Sequence, residues 1–183
     1  MFLGIDQSLR STGLVILPEA GNQALELRVI QPKKLSGAAR LRYLRDGVRD
    51  IMIRYTSTQH ACLEGYSLHS VNRSFDLGEV GGILRLCLYD MGLSFTVVPP
   101  TTLKKFASGR GTADKEDMRR GVNQRWQVDI PQDDACDAYA LAQLARAVKQ
   151  NKPTTRIDAE VLKTLTAERK QTARFSSPKT IDI

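Results

Sequence analysis

Histidine and cysteine are scarce in this chain of 183 residues, which has two of the first and three of the second. Cys62, Cys87 and Cys136 are widely spaced and set in apolar surroundings, which fits reduced core thiols and argues against a disulfide framework or a zinc site. Long hydrophobic runs are also missing. No stretch approaches the roughly 20 apolar residues needed to span a bilayer, and the N-terminus carries no signal-peptide pattern. A soluble protein of a reducing cytoplasm, without a membrane partner, is expected. Acidic residues are outnumbered, 20 against 27 basic ones, giving a formal charge of +7 and a pI near 9.5. Such a balance favours a polyanionic partner, nucleic acid ahead of an anionic membrane, although charge governs association rather than fold. The 42% hydrophobic content suffices for one compact α/β domain with a tail.

Phe2 to Asp6, Gly13 to Leu17 and Leu25 to Ile30 are short apolar runs separated by turn residues, and they predict three antiparallel strands. From Ala38 to about Tyr55, Leu41, Leu44, Val48, Ile51 and Met52 recur at helical spacing, with Arg40, Arg42, Arg45 and Arg49 forming a solvated face. A strand at His60 to Glu64, a helix around Gly78 to Met91 and a strand at Leu93 to Val98 follow. Gly78, Gly81 and Gly82 weaken that helix by about 1 kcal/mol each relative to alanine. They imply close packing, against the sheet or against a second subunit. Further helices are expected at Thr101 to Ala107, Ala113 to Gln124 and Asp134 to Lys149. From Asn151 onward there are seven basic and four acidic residues and little apolar periodicity, which reads as a basic, flexible or loosely docked tail over 151–183, with Ile157 to Arg169 at most a marginal helix. The element order gives a mixed sheet flanked by helices, within a domain spanning 1–150.

The acidic residues are placed unusually. Asp6 and Glu64 each end an apolar strand, and Asp134 and Asp137 open a helix three residues apart, on one face. A charge at the edge of a core is costly unless paired or coordinated, so these four acids call for cations, and oxygen-only ligands suit Mg²⁺. Each acid has a simpler reading: Asp6 as a turn initiator, Asp133 or Asp134 as a helix cap, Glu64 as an exposed strand end. Capping by Asp133 with metal binding by Asp134 and Asp137 satisfies both.

Four segments together, Gly4-Ile5-Asp6-Gln-Ser-Leu-Arg-Ser-Thr-Gly13, Leu63-Glu64-Gly-Tyr66, Gly109-Arg-Gly-Thr-Ala-Asp-Lys115 and Asp134-Ala-Cys-Asp-Ala-Tyr-Ala-Leu-Ala142, resemble the RuvC Holliday-junction resolvases over residues 1 to 150. The Gly-Glu-Val-Gly-Gly stretch at 78–82 looks more like the phage members. The resemblance implies an RNase H-like fold with a five-stranded mixed sheet, three antiparallel strands followed by parallel crossovers. It also implies a homodimer, and magnesium-dependent cutting of four-way junctions or other branched DNA in a bacterial or phage-infected cytoplasm. Asp6, Glu64, Asp134 and Asp137 would hold two Mg²⁺ ions, with Mn²⁺ able to substitute, an arrangement suited to phosphodiester hydrolysis. Lys115 falls on a catalytic or phosphate-contacting lysine and Lys104 on a second family lysine. Lys105 and Arg110 would grip the DNA backbone beside them.

This chain departs from the family after Glu64, where Ser67 replaces an aromatic residue that contacts bases. Tyr66 or His69 could stack there instead, with Arg73 in the same loop as a further DNA contact. Gln7-Ser8 stands where the bacterial pattern has Pro-Gly. Two other classes compete: a non-catalytic nucleic-acid-binding module of the same fold, and an actin-like phosphotransferase suggested by the opening motif alone. Four acids facing DNA phosphates do not suit the first. The second needs a further phosphate loop and a longer chain.

Overall fold

In β1 (Phe2–Asp6) alternate side chains serve two cores, and that alternation organises the molecule. Leu3 and Ile5 pack with Leu14, Ile16, Ala61 and Leu63 on one face of the sheet, while Phe2 packs with Val15, Leu17 and Cys62 on the other. The computed structural model describes residues 1–65 and 74–173, without the side chains of Ser74 and of 168–173. Five strands form one sheet in the order β3-β2-β1-β4-β5, with β2 (Thr12–Leu17), β3 (Glu26–Ile30), β4 (His60–Glu64) and β5 (Phe95–Val98). β1 to β3 run antiparallel, and β4 and β5 pair parallel to β1 and to each other.

α1 (Gly37–Arg54) and α2 (Ser74–Asp90) cover one face, burying Leu44, Val48, Ile51, Val80, Leu84 and Leu88. The other face carries α3 (Pro100–Ser108), α4 (Lys115–Trp126), α5 (Asp133–Gln150) and α6 (Arg156–Ala173). α5 is the central element. It buries ten residues from Ala135 to Ala145, six of them alanine or cysteine, and lies directly on β1, β2 and β4. Two strand glycines permit that approach: a Cβ at Gly4 would stand 1.9 Å from the Ala138 carbonyl oxygen, and one at Gly13 2.0 Å from that of Asp134. α5 is also pinned to the turn after β2 by Tyr139, whose hydroxyl donates to the Asn22 carbonyl at 2.7 Å, and by Arg146, which donates to Gly21 and Asn22.

Two sequence expectations need correction. Gly78 and Gly82 do not bring α2 close to the sheet, because a Cβ at either position would enter open space. The stretch read as a flexible tail contains α6, which buries Val161, Leu162 and Leu165 in the same core as α3 to α5. Its polar anchor is Asp158, 3% exposed, which accepts from the Arg125 guanidinium at 2.7 Å and from Thr154 and Thr155. Arg125 lies against both the Phe106 and Trp126 rings, 4.7 Å from each centroid. Among the described residues no helix is long and apolar enough to cross a membrane.

Candidate active site

The period of two that sends Phe2 and Gly4 toward α5 sends Asp6 there as well. The same phase on β4 takes His60, Cys62 and Glu64 to that face. Asp6 and Glu64 therefore end adjacent parallel strands beneath the start of α5, with Ile5 opposite Leu63 in register. α5 contributes Asp134 and Asp137, one helical turn apart, and its placement over Gly13 brings the Asp134 backbone against β2.

The electrostatics follow from this crowding. Burial pushes the Asp6 carboxyl well above the usual carboxylate range, and the charges of Glu64, Asp137 and Asp134 push it further. The interaction between the Asp6 and Glu64 side chains adds to the rise at Asp6 and opposes it at Glu64. Burial also raises Glu64, against the opposing pull of Asp6 and of the Lys104 ammonium. Asp137 is pushed up to about 7 by burial, with Glu64, Asp133 and Asp134 adding to the effect and Lys104 opposing it. Among the described residues no three carboxylates are gathered into a finished coordination sphere. The donor set nevertheless fits a hard cation: it is all oxygen, and its mutual repulsion is what a divalent charge relieves. Burial raises the Cys62 thiol and pushes that of Cys136 up to about 12.

The basic residues separate into two groups. Lys104 and Lys115 line a cleft with Asp137, Asp133, Cys136 and Met118, at the mouth of the acidic site. Lys115 donates to Asp133 at 2.8 Å, and that hydrogen bond, with the added charges of Asp134 and Asp137, raises its pKa. Lys105 and Arg110 are engaged elsewhere, with Glu160 of α6 at 3.0 Å and Asp117 at 2.6 Å. Asp133 is not a cap. It begins the helix, Gln132 takes the cap position without a side-chain hydrogen bond, and the Asp133 carboxylate instead faces Lys115 and Arg119. Tyr66, His69 and Arg73 lie outside the described residues.

Sequence reasoning passed over Gln7. This side chain is 8% exposed and donates through Nε2 to the Glu64 carbonyl, tying the end of β1 to the end of β4, while its Oε1 has no partner. The loop after it is locally built: Ser8 Oγ accepts from the amides of Arg10 and Ser11, and Thr12 Oγ1 donates to the Ser8 carbonyl. The replacement of Pro-Gly by Gln-Ser was the visible signal, since only a side chain with a donor can make the strand-to-strand bond.

The family described as Crossover junction endodeoxyribonuclease RuvC matches residues 2–144. A protein of that name from Azorhizobium caulinodans is 27% identical over 144 residues, 76% of this chain and 85% of the relative. Another from Synechococcus sp. strain CC9311 is 29% identical over 152 residues, 76% of this chain and 94% of the relative. The solved structure of Thermus thermophilus RuvC superposes with a TM-score of 0.67 at 19% identity, covering 81% of this chain and 95% of that one. The same protein solved in complex with a Holliday junction substrate gives 0.66 over 76% and 88%.

Proposed function

The chain belongs to the RuvC family of crossover junction endodeoxyribonucleases, and we propose that it is a divalent-metal-dependent endonuclease that resolves four-way DNA junctions by paired nicks. The observation that carries this reading is the placement of Asp6, Glu64, Asp134 and Asp137 within one another's field at one end of the central strands, beside Lys104. Asp6 and Glu64 would hold the cation from the strands, Asp134 and Asp137 from α5. Two bound Mg²⁺ ions, or Mn²⁺ in their place, would supply a water acidic enough to attack at neutral pH and neutralise the leaving oxygen. Lys104 lies where it offsets carboxylate charge in the site, and it would do the same for the scissile phosphate. Lys115, 77% exposed at its side chain, would exchange Asp133 for a DNA phosphate at little cost, since exposed ion pairs contribute about 0 to 1 kcal/mol. Lys105 and Arg110 would contact the backbone only after leaving their own carboxylates.

A homodimer is part of the proposal. Phe75, Gly78, Gly82, Leu86 and Tyr89 fall on one face of α2 at helical spacing, and Phe75, Leu86 and Tyr89 are 91, 52 and 76% exposed. A contiguous apolar face with glycines at its centre suits close crossing of two copies about a twofold axis, which matches the near-twofold symmetry of a junction. The three buried, free cysteines fit work in the reducing cytoplasm of a bacterium or an infected host.

The test is incubation of the purified protein with labelled four-way junction, fork, flap and linear duplex, in Mg²⁺ or EDTA. Paired nicks confined to branched DNA and requiring Mg²⁺ are expected. Asp6→Asn should bind the junction and not cut it. Binding by the wild type without nicking would favour the non-catalytic module, and Mg²⁺-dependent cutting by Asp6→Asn would remove that carboxylate from the mechanism.

A further inference from the structure

Three buried side-chain atoms among the described residues have no hydrogen-bond partner: Gln7 Oε1, Ser11 Oγ and Arg40 Nε. Native proteins leave few such groups, because each gives up its hydrogen bonds to water without replacement, so an orphaned group points to a missing partner. All three lie along one edge of the sheet. Gln7 is at the end of β1, Ser11 at the start of β2, and Arg40 in the first turn of α1, beyond the end of β3. Ser11 shares an open polar cleft with Gln31, Lys115, Arg119 and Asp134, and Gln31 also lines a second cleft, with Leu9, Arg10, Lys33, Leu35, Arg40 and Asp76. A continuous polar path thus leads from the acidic site, past Ser11, into a basic recess.

We propose that the recess formed by Arg10, Lys33 and Arg40 binds a DNA backbone phosphate outside the scissile position, and so sets where the strand lies across the acids. The proposal rests on the nuclease reading given above. The recess holds three cations and one carboxylate. Asp76 stands 3.6 Å from the Arg40 guanidinium, beyond hydrogen-bond length, and leaves Nε–H unmet although the Arg40 side chain is only 14% exposed. A phosphate oxygen accepts from a guanidinium fork in the geometry that this arginine lacks. The surroundings favour an anion too: the first turn of α1 has no acidic residue, and its cap residue Ser36 makes no side-chain cap hydrogen bond. Lys33 is held at φ 47° in the turn closed by the Leu35 amide on the Pro32 carbonyl, a conformation that a lysine adopts only when the surroundings require it. With a volume of about 530 Å³ the cleft is open enough for a chain rather than a single ion. β3 lies two strands from β1, roughly 10 Å at the usual strand spacing. That distance corresponds to about three nucleotides at roughly 3.4 Å per nucleotide.

The experiment scans the junction with single methylphosphonates, each removing one backbone charge, against wild type, Lys33→Gln and Arg40→Gln. Binding is measured without Mg²⁺ and nicking with it. One or two neutralised positions, about three nucleotides from the cut, should weaken wild-type binding several-fold and leave both variants unaffected. Each variant should also lower the slope of log affinity against log salt by about 0.9, the value for one phosphate contact. Asp76→Asn should have the opposite effect and tighten binding. Lys33 is exposed and takes part in no described side-chain bond, so its variant folds even where Arg40→Gln does not. Position-independent weakening shared by wild type and Lys33→Gln, with an unchanged salt slope, would overturn the site. Failure of the wild type to nick any branched DNA would instead overturn the nuclease reading beneath it.

Discussion

Gln7 and Asp6 show how one residue position can serve the fold and the reaction in opposite senses. Asp6 is 6% exposed and its carboxyl is raised by burial and by three neighbouring acids, so it destabilises the metal-free protein at neutral pH. An acid with a raised folded pKa carries no penalty below its unfolded pKa near 4; the penalty grows as pH climbs from there to the folded value and is complete above it. Asp6→Asn should therefore raise the melting temperature in EDTA at pH 7 by several degrees, a gain of about 1 to 2 kcal/mol, while it eliminates cutting. Mg²⁺ should raise the melting temperature of the wild type and not of the variant; equal stabilisation of both would show that Asp6 holds no ion. Gln7→Ala tests positioning. It removes the bond to the Glu64 carbonyl, and a fall in kcat with unchanged junction affinity, partly rescued by Gln7→Asn, is expected. The carboxylates were legible in the sequence because strand phase alone puts Asp6 and Glu64 on the face that meets α5. Gln7 was not, since its partner lies 57 residues away and a glutamine after a strand usually faces solvent. Asp133 was misread as a cap because the helix starts one residue earlier than its acidic pair suggested, and a cap is fixed by backbone angles that sequence does not display.

At the scale of elements, β1 to β5 and α1 to α5 lie within a few residues of the sequence reading, because each carries a clear period of two or 3.6 and ends at Gly, Pro or a polar turn. α6 does not. Its apolar stripe is narrow, Ile157, Val161, Leu162 and Leu165, amid charged residues and threonines, so no local signal outweighs the polar composition. What stabilises it is long-range: Asp158 meets an arginine 33 residues earlier in the chain. Burial alone would raise the Asp158 carboxyl, but hydrogen bonds from Thr154 and Arg125 outweigh it and hold it below the usual range. A depressed folded pKa means that the contribution is complete above the unfolded value near 4 and is lost as pH falls through the lower folded value. Asp158→Asn should cost about 3 kcal/mol at pH 7 for breaking a largely buried pair, or roughly 6 to 12 °C in melting temperature. The cost should shrink as pH falls below about 4 and vanish only below the depressed folded value. A pH-independent loss would mean that the helix is held by its apolar stripe alone. Truncation after residue 150, harmless if the segment were a free tail, should expose the apolar seat left by Val161, Leu162 and Leu165 and lower stability by more than Asp158→Asn does.

For the whole molecule, the exposed face of α2 would, in the proposed dimer, decide whether one active site or two act on a junction. In a monomer the glycine at position 82 has no purpose, since a side chain there meets nothing and alanine would favour the helix by about 1 kcal/mol. Its presence makes sense if a second copy approaches that face. Gly82→Arg separates the two situations, because the arginine enters open space in the isolated chain and so leaves the fold intact or slightly more stable. The same side chain would stand in the middle of an isologous contact and meet its own charge across the twofold axis. Sedimentation of the wild type as a dimer and of Gly82→Arg as a monomer with an undiminished melting temperature is the expected result. In cutting assays the variant should still nick single strands of the junction, since Asp6, Glu64, Asp134 and Asp137 all come from one chain, but the two nicks should become uncorrelated in time. Retention of the dimer by Gly82→Arg would move the interface off α2, and fully paired nicking by a monomeric variant would show that symmetry of the enzyme is not what coordinates the cuts.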